Sequence, residues 1–332
     1  MNTTKLGAHG PRVSAIGLGC MAMSGLYGPA DEAEGIATIR AALDAGVTLL
    51  DTGDFYGMGH NEILIREALR GMRREDVVLS VKFGALRDPS GGWSGYDCRP
   101  QAIKNFLAYS LKRLGVDYVD IYRPARLDKT VPIEETVGTI GEMVKAGYVR
   151  HVGLSEVGAE TIRKAASVHP ISDLQIEYSL VSRGIEKHIL PVCRELKIGI
   201  TAYGVLSRGL ISGHWNRQRI TGDPRTVRFP RFASPNVEQN LALVESLRAV
   251  AEEKGVTVAQ LAIAWVAAQG SDIVPLVGPR KRESLSEALG AGAVTLTRAD
   301  LDRIEAAVPA GAAQGERYAP ESLRDLDSER ES

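Results

Sequence analysis

The chain has 332 residues, of which 44% are hydrophobic and 24% are charged, so it can bury a large core. Its formal net charge of −1 at pH 7 leaves no basic surplus to bind a nucleic-acid backbone or an anionic membrane surface. No apolar run approaches the ~18 residues of a membrane span, and the polar N-terminus lacks the features of an export signal. We therefore expect a cytoplasmic protein that acts on a small molecule; an oligomer is possible, but the composition does not indicate one.

The cysteines and histidines predict neither disulfides nor a metal site. Cys20, Cys98 and Cys193 are far apart and odd in number, which fits neither a disulfide framework nor a zinc knuckle. The histidines lack the spacing of metal ligands. We expect reduced, mostly buried thiols and no metal ion.

Short apolar runs alternate with stretches of helical periodicity from Ala15 onward, which is typical of parallel strands joined by crossover helices. In the first predicted helix the apolar residues Ile36, Ile39 and Leu43 lie on one stripe, and Asp31 is placed to cap it. The predicted strands cover residues 15–19, 47–50, 77–81, 118–122, 148–154, 174–176, 198–202 and 273–275.

Eight such units favour a (β/α)8 barrel over a doubly wound sheet. Residues 5–13, outside the repeat, are predicted to form an N-terminal β-hairpin that plugs the barrel floor, and a charged tail or extra helix begins at residue 311. Loops 85–99 and 212–236 are long enough to be lids. No linker divides the chain, so we expect residues 1–332 to form a single barrel domain.

Polar side chains follow the second and third predicted strands, and a barrel carries its chemistry at such strand ends. Asp51 follows the second strand, Tyr56 comes five residues later, and Lys82 ends the third. A buried lysine needs an anionic partner, and Asp51 is the natural one. An ammonium beside a phenol favours the phenolate, so Lys82 would lower the pKa of Tyr56 from ~10. Tyr56 could then donate a proton to a carbonyl oxygen; a purely structural ion pair is the alternative.

The stretches around these residues resemble the aldo-keto reductase superfamily, from Lys5 to about Arg317. The resemblance implies a (β/α)8 barrel that reduces aldehydes and ketones with NADPH, and a tetrad of Asp, Tyr, Lys and His. Three of its members map onto Asp51, Tyr56 and Lys82. The matching stretches include Ile16-Gly-Leu-Gly-Cys20-Met21, Asp51-Thr-Gly-Asp-Phe-Tyr56-Gly57, Lys82-Phe-Gly84, Gly153-Leu-Ser155-Glu156, Gln175-Ile-Glu-Tyr178, Ser207-Arg208-Gly209 and Val274-Pro-Leu-Val-Gly278.

The histidine of that tetrad is missing. Where the family has Asp-Leu-Tyr, two residues and then His-Arg, this chain has Asp120-Ile-Tyr122-Arg-Pro-Ala125-Arg126. In the family this histidine orients the carbonyl, and one orienting hydrogen bond is worth roughly 10²-fold in rate. Two hypotheses follow. The site accepts a bulkier substrate that supplies its own orienting groups, or the chain is an NADPH-binding regulatory module that binds a partner protein and turns over little.

The resemblance also implies a cofactor site along the same rim. Ser155, Glu156 and Gln175 match the residues that bind the nicotinamide carboxamide, although many members have asparagine in place of Glu156. Tyr203 matches the ring that stacks on the nicotinamide, and residues 204–209 match the loop that wraps the pyrophosphate. The remaining implied cofactor residues are Met21, Asp51, Gly204, Leu206, Arg208, Gly209, Gly278, Arg280, Ser284, Glu287 and Ala288.

A basic cluster after the eighth strand bears on the choice of nucleotide. Arg280, Lys281 and Arg282 begin a predicted helix, and cations at a helix N-terminus suit a 2′-phosphate. A solvated basic turn is the alternative. We expect NADP(H) rather than NAD, although Ala288 replaces the asparagine that is usual at the adenine end.

Ala125 and Arg126 are predicted to lie against the substrate, and Arg123 is a further candidate. The two arginines would suit an anionic or multiply hydroxylated substrate. They could equally pair with Asp120 and Asp128.

Trp93 completes the predicted substrate contacts, because it lies on the lid loop where the family often places one. The loop aromatics Tyr27 and Trp215 fit packing as well as substrate contact. A Schiff-base aldolase that uses Lys82 is disfavoured, since Asp51 would keep that lysine charged. The string Gly17-Leu-Gly-Cys-Met-Ala22 matches a dinucleotide fingerprint, but no helix N-terminus follows it directly.

Overall fold

The apolar runs of the sequence form parallel strands that close a barrel, in a computed structural model that describes residues 1–25, 30–220 and 222–330. Each strand pairs in parallel with the next, and the eighth returns to the first. The predicted (β/α)8 barrel is thus confirmed, and every predicted run overlaps a strand. The barrel strands are β1 Gly17–Gly19, β2 Leu49–Gly53, β3 Val78–Phe83, β4 Val119–Pro124, β5 Val149–Ser155, β6 Ile171–Glu177, β7 Gly199–Tyr203 and β8 Ile273–Val277.

Helices follow the strands and bury one apolar stripe each against the barrel. Asp31 caps the first, as predicted, by accepting a hydrogen bond from the Glu34 amide. No helix of the described residues is long and apolar enough to cross a bilayer. The longer helices are Glu32–Asp44, His60–Ala68, Pro100–Leu114, Ile133–Lys145, Ala159–Val168, Ile189–Glu195, Asn236–Lys254, Val258–Ala268, Arg282–Gly290 and Arg298–Ala307, and short ones are Arg217–Ile220, Arg225–Arg228 and Pro320–Leu323.

The predicted hairpin closes the end of the barrel opposite the strand C-termini. Its antiparallel strands are Thr3–Lys5 and Arg12–Ser14. The side chains of Leu6 and Val13 pack there against apolar residues of the barrel interior. Gly7 has a φ of +66°, and a Cβ on it would lie 2.4 Å from a backbone oxygen, so only glycine allows the backbone this approach.

The two predicted lid loops are structured. Loop 85–99 contains a hairpin of Ala85–Arg87 and Trp93–Tyr96. In the second loop, Trp215 packs edge-on against Phe232, with ring centroids 4.8 Å apart, and is almost fully buried. Packing, and not substrate contact, therefore accounts for Trp215. Tyr27 lies outside the described residues.

Candidate active site at the strand C-termini

A buried ion pair joins β2 and β3. The register sets Gly53 opposite Lys82, two positions beyond Asp51, so the two side chains share the barrel interior. Lys82 Nζ lies 2.5 Å from Asp51 Oδ2. Burial lowers the pKa of Lys82, and the Asp51 carboxylate opposes that shift. The predicted pairing of these residues is present in the structure.

The second oxygen of Asp51 is also occupied. Ser80 Oγ donates to Oδ1 at 3.0 Å, and Gln175 Nε2 donates to the same atom at 2.7 Å. These hydrogen bonds compensate for burying the carboxylate and fix its direction. Gln175, predicted to bind the carboxamide, thus links β6 to Asp51 in the structure.

Tyr56 begins a tight turn after β2, in which Gly57 and Met58 take left-handed backbone angles. The turn directs the phenol ring toward the barrel, leaving Tyr56 only 8% exposed. Lys82 Nζ lies 5.1 Å from the centroid of this ring. Asp51, Lys82 and Tyr56 therefore form one cluster, as the sequence predicts.

The predicted substrate residue Trp93 connects to this cluster through Phe55. The centroid of Phe55 lies 4.8 Å from that of Tyr56 and 5.6 Å from that of Trp93. Trp93 is 50% exposed, so an apolar edge of its ring faces solvent at the mouth of the barrel. Its position is compatible with substrate contact.

Asp54 is a half-buried acid two residues before Tyr56 that sequence reasoning missed. Its Oδ1 is buried and has no hydrogen-bond partner among the described residues. Burial, reinforced by the nearby Glu62 carboxylate, raises the pKa of Asp54 to about 7. Asp54 therefore titrates near neutral pH, two residues from the candidate proton donor.

Ala125, predicted to stand at the position of the family's histidine, is 2% exposed. Its amide donates to the Phe83 carbonyl at 2.8 Å, which holds the end of β4 against β3. A methyl group at this position cannot hydrogen-bond to a carbonyl oxygen. Any orienting donor must come from another residue.

Arg123 does not contact the substrate, contrary to one of our expectations. Its guanidinium donates to both oxygens of Asp173, at 2.8 and 3.1 Å, and both side chains are fully buried. The alternative pairing with Asp120 is also wrong, because Asp120 binds Arg74 at 2.5 Å. Arg123 stabilises the barrel interior.

Arg126 is half-buried at the barrel mouth, and its Nη1 donates to the Ala125 carbonyl oxygen at 2.6 Å. Burial alone would lower the pKa of Arg126, but interactions with Tyr203, Tyr318 and Glu156 outweigh it and raise the pKa above its usual value. Arg126 therefore remains a cation among the candidate site residues.

The residues predicted to bind the nicotinamide carboxamide come together at the ends of β5 and β6. Ser155 and Gln175 are paired in the sheet register. The Ser155 hydroxyl is buried and has no hydrogen-bond partner among the described residues. A buried hydroxyl with unused hydrogen-bonding capacity can bind an amide ligand, so this part of the site fits a nicotinamide.

Glu156 is already bound by other side chains. It has a φ of +52° and is fully buried. Arg317 donates to its two oxygens at 2.6 and 3.1 Å, Ser328 Oγ at 2.7 Å and the Tyr203 hydroxyl at 2.7 Å. Burial alone would raise the pKa of Glu156, but Arg317 outweighs it and holds this pKa far below its usual value. A carboxamide would have to add to, or replace, one of these bonds.

The C-terminal segment, residues 311–330, thus reaches the site. Besides Arg317 and Ser328, it places the Tyr318 hydroxyl 3.0 Å from that of Tyr203. Sequence reasoning missed this, because the segment lies outside the repeat and its partner Glu156 is 161 positions away. The sequence signal for this contact was Arg317 itself, a cation in a segment with little periodicity.

The predicted pyrophosphate loop has left-handed backbone angles at Gly204, Arg208 and Gly209. Ser207 Oγ is buried there without a partner among the described residues. The Arg208 side chain points to Glu177, at 3.3 Å, and lies 4.4 Å from the Tyr318 ring centroid. Arg208 therefore contributes its backbone to this loop, while its side chain packs against Tyr318 of the C-terminal segment.

The predicted adenosine residues lie in the loop after β8 and on the following helix. Gly278, Arg280 and Ser284 are exposed at the rim, whereas Ala288 is buried. Arg282 is bound to Glu34 at 3.0 Å, so a phosphate at this residue would have to share or replace that partner.

The remaining cofactor predictions fall on the same rim. Glu287 accepts from His214 at 2.8 Å. Met21 follows β1 directly, where the Cys20 amide donates to the Asp51 carbonyl. Leu206 is half-buried in the loop between Gly204 and Gly209. The predicted cofactor residues thus extend from the Asp51–Lys82 pair to the helix Arg282–Gly290.

The chain is similar to known proteins along most of its length. The sequence profile of the Aldo/keto reductase family matches residues 15–309. The chain is 41% identical to "Probable aldo-keto reductase 1" of Glycine max over 317 residues, 95% of this chain and 91% of that protein. Two solved structures have similar folds. The glycerol dehydrogenase AKR11B4 from Gluconobacter oxydans has a TM-score of 0.81 at 29% identity, covering 92% of this chain and 96% of that one. The aldo-keto reductase AKR11C1 from Bacillus halodurans, in its holo form, has a TM-score of 0.79 at 26% identity, covering 94% and 97%.

Proposed function

The chain belongs to the aldo/keto reductase family, whose members are nicotinamide-dependent oxidoreductases of carbonyl compounds, and we propose that it uses NADP(H) to interconvert an aldehyde or ketone and its alcohol. In the reducing direction NADPH, when bound, supplies the hydride. The Tyr56 hydroxyl proton passes to the carbonyl oxygen, and in the oxidising direction Tyr56 accepts the proton back.

The observation that carries this proposal is the cluster of Asp51, Lys82 and Tyr56. A positioned acid contributes roughly 10²- to 10⁴-fold to a proton-transfer step. The ammonium over the Tyr56 ring, 5.1 Å from its centroid, favours the phenolate that forms when the proton leaves. Asp51, held by Ser80 and Gln175, keeps Lys82 in place. The buried Ser155 hydroxyl would hold the carboxamide, and Tyr203 would pack against the nicotinamide ring.

The choice of NADP over NAD rests on Arg280 and Lys281, both exposed before the helix Arg282–Gly290. Cations at a helix N-terminus add charge-assisted hydrogen bonds to a 2′-phosphate. We expect tighter binding of NADPH than of NADH.

The test combines cofactor binding and turnover in one sample. NADPH binding is followed by fluorescence, and carbonyl substrates are then added while absorbance at the nicotinamide band is recorded. We expect oxidation of NADPH by wild type and loss of at least about 10²-fold in rate in Tyr56→Phe. Tyr109→Phe is the matched control, because Tyr109 is exposed on the helix Pro100–Leu114.

Three outcomes separate the alternatives. Oxidation that persists in Tyr56→Phe would reject Tyr56 as the proton donor. Tight binding without oxidation of any carbonyl would favour the regulatory module. Failure to bind either nicotinamide nucleotide would reject both functions.

A further inference from the structure

Arg126 brings a positive charge to the barrel mouth, next to the histidine position that Ala125 occupies. The guanidinium is anchored to the Ala125 carbonyl oxygen at 2.6 Å. It interacts electrostatically with Tyr96 of the lid hairpin, Tyr203 at the end of β7 and Tyr318 of the C-terminal segment. Tyr203 ends β7, and its hydroxyl lies 3.0 Å from that of Tyr318, so the guanidinium belongs to the same end of the barrel as the candidate site.

The other cations buried near this rim already have carboxylate partners. Lys82 binds Asp51 and Arg123 binds Asp173. A third cluster of ion pairs contains three carboxylates and three guanidiniums. Its carboxylates are those of Glu156, Glu177 and Glu329, and its guanidiniums are those of Arg208, Arg231 and Arg317. Each of these cations has a carboxylate within ion-pair distance, which distinguishes them from Arg126.

Among the described residues no carboxylate lies within 4.0 Å of the Arg126 guanidinium. Glu156, the acid that interacts with Arg126 electrostatically, is held by Arg317 at 2.6 Å. A bound anion would give the Arg126 guanidinium the charge-assisted hydrogen bonds that no carboxylate of the described residues supplies. The guanidinium fork matches a carboxylate in particular, because two parallel N–H groups reach both oxygens.

We propose, building on the carbonyl reduction proposed above, that the substrate carries a carboxylate close to its carbonyl group and that Arg126 binds this carboxylate. The substrate class is then that of short oxo acids. Arg126 orients the substrate by its acid group, a role that Ala125 cannot fill. The carbonyl end is left beside Tyr56.

The test compares pyruvate with its neutral amide, pyruvamide, which has nearly the same shape. In wild type we expect a higher kcat/KM for the acid. Arg126→Met keeps the length of the side chain without its charge. It should lower kcat/KM for the acid by about tenfold to a hundredfold more than for the amide, the range of charge-assisted hydrogen bonds.

Arg99→Met is the control, because Arg99 lies at the end of the same lid loop, is exposed and pairs with Asp97. The acid-to-amide ratio of this variant should equal that of wild type. An equal loss for acid and amide in Arg126→Met would overturn the proposal, since Arg126 would then act on the carbonyl itself. A weaker Kd for NADPH with an unchanged ratio would also overturn it, because Arg126 would then bind a cofactor phosphate.

A binding measurement keeps this test separate from that of the proposed function. Butanoate and butanamide, which cannot be reduced by hydride transfer in this way, are titrated calorimetrically into wild type and Arg126→Met in the presence of NADPH. We expect butanoate to bind wild type at least tenfold more tightly than the variant. If no carbonyl is turned over, carbonyl reduction fails while this titration still decides on the anion site. Absence of butanoate binding to wild type, with turnover of neutral carbonyls, rejects the anion site alone.

Discussion

Replacing Arg317 by glutamine would leave the buried carboxylate of Glu156 without its cation. Arg317 is 8% exposed and donates to both oxygens of Glu156, whereas Glu177 keeps Arg208 and Arg231 as partners. Removing one partner of a buried ion pair costs about 3–5 kcal/mol. A free energy of unfolding is commonly about 5–15 kcal/mol, so the loss should be a large fraction of the total.

The assay is urea unfolding at pH 7.5, followed by circular dichroism and by tryptophan fluorescence. We expect Arg317→Gln to lower the free energy of unfolding by about 3–5 kcal/mol. The double variant Arg317→Met with Glu156→Gln should be less destabilised, because no charge remains buried. Arg330→Gln is the control: Arg330 is exposed and lies 3.6 Å from Asp327, so its loss should cost under about 0.5 kcal/mol. An Arg317→Gln variant within about 0.5 kcal/mol of wild type would refute the reasoning.

Three other predictions concern charge at the site. Because the pKa of Glu156 is held low in the folded state, its contribution to stability is complete above the unfolded value of ~4.3 and is lost as the pH falls below it. Between pH ~5 and ~2 the free energy of unfolding should therefore depend less on pH in Glu156→Gln than in wild type, and an equal pH dependence in the two proteins would contradict this. The pKa of Asp54, raised to about 7, disfavours the folded state once the pH rises above its unfolded value of ~3.9, with the penalty complete above pH 7. Asp54→Asn should thus be about 1–3 kcal/mol more stable than wild type at pH 8 and nearly equal to it at pH 4, as measured by urea unfolding; equal stability at both would exclude this titration. Lys82→Met should lower kcat/KM at least about 10²-fold with little change in the Kd for NADPH, and near-normal activity would exclude a role for Lys82 in proton transfer.

The barrel could be predicted from the sequence because parallel strands buried on both faces have continuous apolar runs. The prediction for β6 was short, at 174–176 against the observed Ile171–Glu177. Ser172 and Asp173 interrupt its apolar pattern, because their side chains bind polar groups inside the barrel. Polar residues that face the barrel interior therefore interrupt the apolar pattern by which a buried strand is predicted.

The cluster of Asp51, Lys82 and Tyr56 could also be predicted, since Asp51 and Lys82 lie at the ends of adjacent strands and each needs a counter-charge. The partner of Arg123 could not be predicted from the sequence, because Asp173 lies 50 positions away on β6. Choosing Asp173 over Asp120 and Asp128 requires the strand order and register. Arg317 was missed for the same reason, since only the folded chain brings it to Glu156.

The bond between Arg317 and Glu156 also affects the order in which the protein assembles during synthesis. Glu156 leaves the ribosome 161 residues before Arg317, and all eight barrel strands precede Arg317 along the chain. Domains begin to fold while the chain is still being made. A nascent chain that has formed its barrel would therefore hold the Glu156 carboxylate without its cation, and the proposed nicotinamide end of the site would become complete only when the last segment docks.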